Sequence, residues 1–230
     1  MNTKIIIAID GFSSTGKSTL AKELAKYLGY VYVDTGAMYR AIALFAIQNN
    51  LITTDFFDSQ SLIQKLPSLK LTFKFNQNLG FAEMYLNDVN VETKIRTLEV
   101  SNYVSKVAEI SEVRSKLVEQ QQEMGKKKGI VMDGRDIGTV VFPEAELKIF
   151  MTASPKIRAE RRYKELTKKG DSVTFEQVLN NVEERDYIDT HREDSPLIKA
   201  NDAIEFDNSD ITKQEQFQKI VSLILSKRFS

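Results

Sequence analysis

The sequence has no cysteine among its 230 residues, which excludes disulfide bonds, thiol nucleophiles and zinc sites built from thiolates. It has no excess of either charge, because 32 acidic residues match 32 lysines and arginines. A general nucleic-acid binder usually carries a basic excess, so we expect no nucleic-acid partner. No apolar run approaches the roughly 18 residues of a membrane-spanning helix, and no basic and apolar leader precedes the first expected strand. We therefore expect a cytoplasmic protein without a membrane partner.

Short apolar runs alternate with helical patterns along most of the chain, which predicts an α/β domain with a parallel sheet flanked by helices. The length suits a single domain with insertions and is ample for a buried core. The expected strands are residues 5–9, 30–33, 130–132, 147–151 and 203–206. The expected helices are residues 17–28, 37–48, 102–124, 155–168, 174–187 and 214–227.

The stretch from about residue 62 to residue 92 breaks this alternation of strand and helix. Apolar side chains there occupy every second position, as at Leu69, Leu71 and Phe73, and residues 76–80 have the composition of a turn. We therefore expect a small antiparallel sheet inserted between elements of the core.

Residues 11–18 match G-x-x-x-x-G-K-[ST], which is the phosphate-binding P-loop when a strand precedes it and a helix follows. Gly11 and Gly16 allow backbone N–H groups to turn toward phosphate oxygens, and the start of the following helix favours the same anion. Lys17 would contact the β- and γ-phosphates, and Ser18 would bind Mg²⁺. The sequence therefore predicts ATP binding by Gly11, Phe12, Ser13, Ser14, Thr15, Gly16, Lys17, Ser18 and Thr19.

The P-loop leaves open what happens to the triphosphate. The guanine-reading tetrapeptide N-K-x-D of GTPases does not occur, and 230 residues leave little room for the assemblies that couple hydrolysis to motion. Transfer of the γ-phosphoryl group to a small acceptor remains, and this chemistry needs positive charge around the acceptor. Asp133 follows an expected strand and would hold Mg²⁺ through water, although an aspartate there could also cap a turn.

The arginines follow the pattern that a phosphate acceptor would need. Arg40 and Arg135 come after the second and third expected strands, and ligands of doubly wound sheets bind beyond the carboxyl ends of strands. Arginine suits phosphate because it can donate two parallel hydrogen bonds. These two side chains are therefore candidates for the acceptor phosphate.

Two expected helices carry further arginines whose role the spacing leaves open. Arg158, Arg161 and Arg162 share one helix face, which could belong to the site or be a solvated face. Arg185 and Asp189 lie one turn apart, and this spacing also fits a surface ion pair that contributes only a few tenths of a kcal/mol.

Four further segments resemble the bacterial cytidylate kinases over essentially the whole chain. They are D-T-G-A-M-Y-R at 34–40, I-R-T at 95–97, D-G-R-D-I-G-T-V-V-F-P at 133–143 and R-D-Y-I-D-T-H-R at 185–192. The third segment is much more specific than the P-loop. The resemblance implies the P-loop nucleoside-monophosphate kinase fold, a five-stranded parallel sheet flanked by helices, with an inserted antiparallel monophosphate-binding subdomain and a short helical lid.

The resemblance also implies a division of the single domain. The core would comprise about residues 1–36, 97–154 and 200–230, the insert about 62–96, and the lid region about 155–192. The implied reaction is the transfer of a phosphoryl group from ATP to CMP or dCMP, with Mg²⁺, by direct in-line displacement in pyrimidine nucleotide metabolism. We expect a monomer, since the sequence shows no long exposed apolar face.

Residue roles follow from the resemblance by matching positions. Ser105, Arg114 and Asp136 would read the cytosine, whose N4 amino group donates to a carboxylate. The residues implied for CMP binding are Thr35, Tyr39, Arg40, Ser105, Arg114, Arg135, Asp136, Arg185, Asp189 and Arg192. The residues implied for catalysis are Lys17, Arg135, Arg158, Arg162 and Arg185.

The P-loop departs from the family at two positions, where Pro and Gly are common and this chain has Phe12 and Ser14. The family also often has Ser at Thr35, which keeps the hydroxyl group. Two rival functions stay open from the sequence. One is a P-loop kinase for another small acceptor, such as UMP or a sugar acid, and the other is a non-catalytic nucleotide-binding regulator.

Overall fold

The computed structural model describes residues 4–228, which form two β-sheets and eight α-helices within that range. In chain order the elements are β1 (Ile6–Gly11), α1 (Lys17–Leu28), β2 (Val31–Asp34), α2 (Thr35–Gln48), α3 (Ser59–Lys65), β3 (Leu71–Asn76), β4 (Phe81–Leu86), β5 (Val89–Asn90), α4 (Leu98–Ala108), α5 (Ser111–Gly125), β6 (Ile130–Gly134), β7 (Leu147–Thr152), α6 (Pro155–Lys168), α7 (Phe175–His191), β8 (Ile204–Asp207) and α8 (Lys213–Arg228). Residues 1–3 and 229–230, which the predicted core includes, lie outside the described part.

The larger sheet has five parallel strands in the order β2-β6-β1-β7-β8. All five predicted strands are confirmed, within two residues at each end. The order places β1 at the centre, so that the segments after β1, β2 and β6 leave the sheet side by side. A ligand that touches all three segments therefore lies at the carboxyl edge of this sheet.

Alternation along β1 explains why helices cover both faces of the larger sheet. Ile7 and Ile9 pack on one face with Leu24 of α1 and Ile224 of α8, whereas Ala8 belongs to the core of the opposite face. Because both faces are buried, the central strand β1 and its neighbour β6 are continuously apolar up to their final Asp-Gly, as parallel strands usually are, whereas the edge strand β8 alternates. None of the helices within residues 4–228 combines the length and the apolar character needed to cross a bilayer.

The smaller sheet is antiparallel, in the order β3-β4-β5, and confirms the predicted insertion of a β-structure. The prediction was wrong at its start, because residues 59–65 form α3 and Leu66–Ser68 form a 3-10 turn. Asp58 caps α3 by accepting a hydrogen bond from the Ser61 backbone, and Leu62 and Leu66 are buried one turn apart. Leucine spacing of four residues fits a helix, whereas the strand prediction relied on spacing of two.

The helix predicted over residues 102–124 is two helices, because the chain is extended at Ile110 (ψ 116°) between α4 and α5. The Arg114 guanidinium donates to the Ala108 carbonyl and so satisfies an acceptor at the end of α4. Neither Pro nor Gly marks this break, so the sequence pattern gave no signal for it.

The helices α6 and α7 pack against each other through a small apolar cluster that contains Ala159, Leu166, Val178 and Val182. Helix α7 starts with a capping box, in which Thr174 and Gln177 bond each other's backbone. It continues to His191, four residues beyond the predicted end. Arg185 and Asp189 therefore lie on a helix, and Arg192 immediately follows it.

Candidate active site

A cavity of about 780 Å³ opens at the carboxyl edge of the larger sheet and brings most of the predicted site residues together. Its wall contains all ten residues predicted for CMP, together with Lys17, Ser18, Asp133 and Arg162. Four predicted residues are absent from that wall, namely Gly11, Phe12, Thr15 and Arg158. Segments that are far apart in the sequence therefore meet at one site.

The P-loop has left-handed backbone at Ser14 (φ 59°) and at Gly16 (φ 91°), and Gly11 has a φ of 140°. A side chain at Gly11 would place its Cβ only 2.0 Å from the Met151 carbonyl oxygen of the adjacent strand. Gly11 is therefore required where the loop leaves β1 beside β7. Ser14 adopts a left-handed conformation that glycine tolerates better. The serine that stands here in place of the family's common glycine is therefore conformationally less favourable.

The Lys17 side chain lies within the P-loop and is buried. Its Nζ donates to the Phe12 carbonyl at 2.5 Å, with the Thr15 hydroxyl at 3.4 Å. Burial, and then repulsion from Arg135, hold the pKa of Lys17 well below its usual range. An anion in the loop would favour the charged ammonium and relieve both effects.

Ser18 at the start of α1 meets Asp133 near the end of β6, and the Ser18 hydroxyl donates to the Asp133 carboxylate at 2.9 Å. The other carboxylate oxygen accepts from the Tyr32 hydroxyl at 2.8 Å. Burial, with the nearby charge of Asp34, raises the pKa of Asp133 to about 6. A hydroxyl beside a carboxylate is a donor set that suits Mg²⁺, so these two residues fit the predicted metal.

Among residues 4–228, no group of three or more His, Cys, Asp or Glu side chains is arranged to hold a metal ion. This finding agrees with the donor set of Ser18 and Asp133, which supplies two oxygens. Mg²⁺ in nucleotide sites is commonly bound by one or two protein groups together with substrate phosphates and water.

One part of the cavity wall holds Arg40 and Arg96 around Asp34. Asp34 caps α2 by accepting from the Ala37 backbone, binds Arg96 at 2.7 Å, and lies 3.8 Å from Arg40. Burial alone would raise the pKa of Asp34, but Arg96 and Arg40 hold it well below its usual range. Burial and the proximity of Arg96 lower the pKa of Arg40 to about 10. These cations are thus partly uncompensated, which favours a bound phosphate.

Arg114 and Asp136 form a buried ion pair at the far end of the cavity. They are 2% and 4% exposed, and the Tyr39 ring lies 5.8 Å from the guanidinium. The position of Asp136 depends on Asp10, whose carboxylate accepts from the next two backbone N–H groups, both at 2.7 Å. The end of β1 therefore fixes both the P-loop and the segment that carries Asp136.

Asp189 lies between two predicted site residues and binds both. It accepts from the Ser105 hydroxyl at 2.9 Å and from Arg135 Nε at 2.7 Å. Burial would raise the pKa of Asp189, but Arg135 and the neighbouring arginines lower it. The alternative of a surface ion pair with Arg185 is therefore wrong, because the carboxylate is buried and its ion-pair partner is Arg135.

The three arginines of α6 have different surroundings. Arg158 is only 2% exposed, binds Asp186 and the Ser13 carbonyl, and lies behind the P-loop. Arg161 donates to Asn208, whereas Arg162 lines the cavity and donates to the Arg96 carbonyl at 2.8 Å. The alternative that these three arginines form a solvated helix face is therefore wrong. A catalytic role for Arg158 stays a prediction, and in this conformation the side chain supports the P-loop.

Sequence reasoning missed several residues that build the cavity. Arg96, Lys22 and Ser101 line it, and Asp10 positions one of its walls. Arg96 was part of the I-R-T segment, so its charge and position could have been weighed with the other arginines. Asp10 ends a buried strand as Asp133 does, and the same reasoning applied to Asp10 would have marked it.

The chain is similar to known proteins over almost its whole length. The family model described as cytidylate kinase matches residues 7–226. The chain is 72% identical over 221 residues to a cytidylate kinase of Flavobacterium johnsoniae, with 96% of each chain covered. It is 67% identical to one of Flavobacterium psychrophilum, over 96% of this chain and 98% of the relative. A cytidylate kinase of Bacteroides thetaiotaomicron is 55% identical, over 95% of this chain and 98% of the relative.

Solved structures add a likeness of fold. A crystal structure of an uncharacterized protein from Eubacterium ventriosum superposes with a TM-score of 0.50 at 12% identity, and covers 97% of this chain and 99% of that chain. At this identity the likeness concerns the arrangement of strands and helices alone.

Proposed function

The chain belongs to the cytidylate kinase family and phosphorylates CMP and dCMP, and we propose how the residues of its cavity divide that task. The resemblance seen in the sequence is thereby confirmed. The observation that carries the proposal is the convergence of a P-loop, an arginine cluster and the buried Arg114–Asp136 pair on one cavity. A donor phosphate site and a site for a charged, hydrogen-bonding acceptor thus face each other.

The donor end would be formed by the P-loop, with ATP as the phosphoryl donor. The backbone N–H groups that precede α1 would bind the phosphates, and the Lys17 ammonium would neutralise charge on the β- and γ-phosphates. The left-handed backbone at Ser14 and Gly16 supports this role, since such turns direct successive N–H groups toward an anion.

Ser18 and Asp133 would hold Mg²⁺, Ser18 directly and Asp133 through water. The ion would supply positive charge that offsets the negative charge of the triphosphate. The contact between the Ser18 hydroxyl and the Asp133 carboxylate supports this assignment, because it brings both oxygens to one place beside the P-loop.

The acceptor phosphate would be bound by Arg40 and Arg135, with Thr35 beside them; in this conformation the Thr35 hydroxyl donates its proton to the Asp133 carbonyl at 2.7 Å. Asp34 supports this assignment, because it orients Arg40 from one side while Asp189 orients Arg135 from the other. Two carboxylates thus fix the guanidinium groups while leaving N–H donors for a phosphate.

The cytosine would be read by Ser105, Arg114 and Asp136, with the Tyr39 ring beside the pair. An ionised carboxylate only accepts hydrogen bonds, so Asp136 favours the cytosine amino group over the uracil carbonyl. The sugar would lie beside Arg185, Arg192 and Asp189, whose two carboxylate oxygens already accept from Ser105 and Arg135.

The transfer itself would be direct and in line, without a covalent intermediate. A nucleotide phosphate is largely ionised near neutral pH, so the acceptor needs no strong general base. Catalysis would then consist of positioning and of charge stabilisation by Lys17, Arg135, Arg185 and Arg162, with Arg158 contributing from the lid region. Closure of the insert and lid would exclude water and so limit hydrolysis of ATP.

A coupled assay of ADP release with ATP against CMP, dCMP, UMP and AMP tests the proposal. We expect turnover with CMP and dCMP, a strong preference over UMP, and loss of turnover when Mg²⁺ is chelated. Equal rates with UMP would favour a kinase of broader acceptor range, and ATP binding without ADP formation would favour a regulator. We also propose a monomer in the cytoplasm, and sedimentation of the purified protein tests the first part of that statement.

A further inference from the structure

Arg185 is oriented by a neutral side chain, unlike four other arginines of the region, whereas Arg192 donates to the Ser195 backbone carbonyl. Arg114, Arg135, Arg158 and Arg96 each donate to a carboxylate. Arg185 makes one hydrogen bond within residues 4–228. Its Nη1 donates to the hydroxyl of Ser101, a neutral group, at 3.0 Å. Its Nε is buried and has no hydrogen-bond partner in the described structure.

Ser101 is itself held by a chain of neutral side chains. Its hydroxyl donates to the Asn181 side-chain oxygen at 3.0 Å, and the Asn181 amide donates to the Asn102 side chain at 2.8 Å. Ser101 and Asn181 are 2% and 7% exposed. The Ser101 oxygen therefore has a fixed lone pair toward Arg185, because its proton is used by Asn181.

The helices α4 and α7 meet here in matched register. Ser101 and Ser105 are one turn apart on α4, and Arg185 and Asp189 are one turn apart on α7. The first serine binds the arginine and the second binds the aspartate, which forms two parallel contacts across the helix pair. The arrangement positions the cation and the anion of α7 separately.

We propose that Ser101 and Asn181 are positioning residues that orient Arg185 toward the acceptor nucleotide without neutralising its charge. The proposal rests on the proposed role of Arg185 in the acceptor site. A carboxylate at Ser101 would orient the guanidinium equally well, but would compensate the charge that the moving phosphoryl group requires. A hydroxyl fixes the direction of the side chain and leaves the cation available.

The environment of Arg185 agrees with this role. Burial and the nearby Arg135 lower the pKa of Arg185 to about 9, so the cation is under-compensated before a ligand enters. Repulsion within such a cluster tends to displace a long side chain. A neutral hydrogen-bond relay opposes that displacement.

The test is a double-mutant cycle between Ser101→Ala and Arg185→Ala, with steady-state kinetics for CMP and ATP. We expect Ser101→Ala to lower kcat/KM for CMP about tenfold or more, because a hydrogen bond to a charged group is lost. The KM for ATP should stay within about twofold, since the Ser101 hydroxyl hydrogen-bonds to Asn181 and Arg185 on α7 and not to the P-loop in the described structure. In the Arg185→Ala background, Ser101→Ala should cause no further loss.

Two further variants sharpen the result. Asn181→Leu keeps the approximate size of the side chain and removes the acceptor of the Ser101 proton, so it should lower kcat/KM for CMP in the same direction. Ser115→Ala is the matched control, because Ser115 is a helical serine on α5 whose hydroxyl donates to its own helix. We expect this control to retain wild-type kinetics.

The outcomes separate the relay from the role of Arg185. An Arg185→Ala variant with wild-type kinetics would contradict the proposed role of Arg185 itself. If Arg185→Ala is impaired and Ser101→Ala costs the same factor in both backgrounds, the relay is overturned and Ser101 contributes only to helix packing. A wild-type rate in Ser101→Ala or in Asn181→Leu would likewise remove that residue from the proposal.

Discussion

Arg135 and Asp189, 54 positions apart in the sequence, form an ion pair of 2.7 Å inside the cavity. The same carboxylate also accepts from Ser105, so both of its oxygens have protein partners before a nucleotide binds. Asp189 is therefore placed to orient an arginine of the proposed phosphate site and a serine of the proposed base site at once. A direct contact with ribose would have to share an oxygen that Ser105 or Arg135 already uses.

Replacement of Asp189 by Ala tests these two roles. If Asp189 acts by orienting Arg135 and Ser105, kcat/KM should fall by a similar factor for CMP and for dCMP, with little change in the KM for ATP. A markedly larger loss with CMP would instead indicate direct recognition of the 2′-hydroxyl, which dCMP lacks. Glu184→Gln, an exposed change on the same helix, serves as the control.

Asp136 is expected to determine the choice of base. Asp136→Asn removes an obligatory acceptor, since an amide can also donate to the uracil carbonyl, and the CMP:UMP ratio of kcat/KM should fall about tenfold or more. The variant also leaves Arg114 without its buried partner, so stability should fall as well. A ratio measured on one preparation is independent of the folded fraction. Asp171→Asn changes another carboxylate of the same cavity and should leave the ratio unaltered.

Lys17→Ala should abolish most of the activity while the protein stays folded. The lost ammonium stabilises charge on the moving phosphoryl group, and removal of one such group reduces kcat about 10²–10³-fold. The side chain also donates to the Phe12 carbonyl, so the loop conformation should be checked by the thermal transition and circular dichroism. Near-wild-type turnover would contradict phosphoryl transfer at this loop. Lys26→Ala, on the same helix, is the control.

Ser14→Gly is expected to stabilise the protein. Ser14 has a φ of 59°, and left-handed backbone costs a residue with a Cβ about 1–2 kcal/mol, which exceeds the extra chain entropy of glycine. We expect a gain of about 0.5–1 kcal/mol in the free energy of unfolding by denaturant titration. Ser13→Gly is the matched control, because Ser13 has no positive φ, and it should be destabilised. A loss of stability in Ser14→Gly would show that its side chain supports the loop.

The buried carboxyl of Asp10 should make stability depend on pH. Burial raises the pKa of Asp10 from 3.8 to about 7, despite hydrogen bonds from the Ile137 and Gly138 backbone. Between these values the folded chain holds a proton that the unfolded chain releases. The contribution of Asp10 to stability is therefore complete below about pH 4 and is lost as the pH rises toward 7.

Denaturant unfolding of the ligand-free wild type and of Asp10→Asn, at several pH values, measures this effect. The free energy of unfolding of Asp10→Asn should rise relative to that of the wild type by up to about 4 kcal/mol between pH 4 and pH 7, because the variant lacks the titrating group. Carboxylates whose pKa is lowered by folding, such as Asp34, are present in both proteins, so their effects on stability cancel in the difference. A difference that is constant across this range would contradict the assigned protonation.

The sequence predicted the elements whose signals are local. The central strands are continuous apolar runs, and the P-loop motif lies between a strand and a helix, so β1 and α1 were placed nearly to the residue. The antiparallel insert followed from alternation at Leu71 and Phe73. Helix α3 was missed although Asp58 caps it and Leu62 and Leu66 have helical spacing, whereas the break at Ile110 has no breaker residue in the sequence.

The candidate residues were mostly predictable, but their partners were not. Motifs identified Arg114, Asp136 and Asp189 by position, whereas the pairs Arg114–Asp136 and Arg135–Asp189 join elements that meet only in the fold. Helical spacing grouped Arg158 with Arg162, yet only Arg162 reaches the cavity. A helix face alone does not tell which side chains its neighbours will bury.

The balance of charge has a consequence for what the molecule meets in solution. Ten cationic and seven anionic side chains line the cavity, whereas the whole chain carries 32 of each. The remainder of the protein therefore has an excess of three formal negative charges. The cationic excess that attracts a phosphorylated compound is therefore found at the cavity, although the net charge of the whole chain is zero.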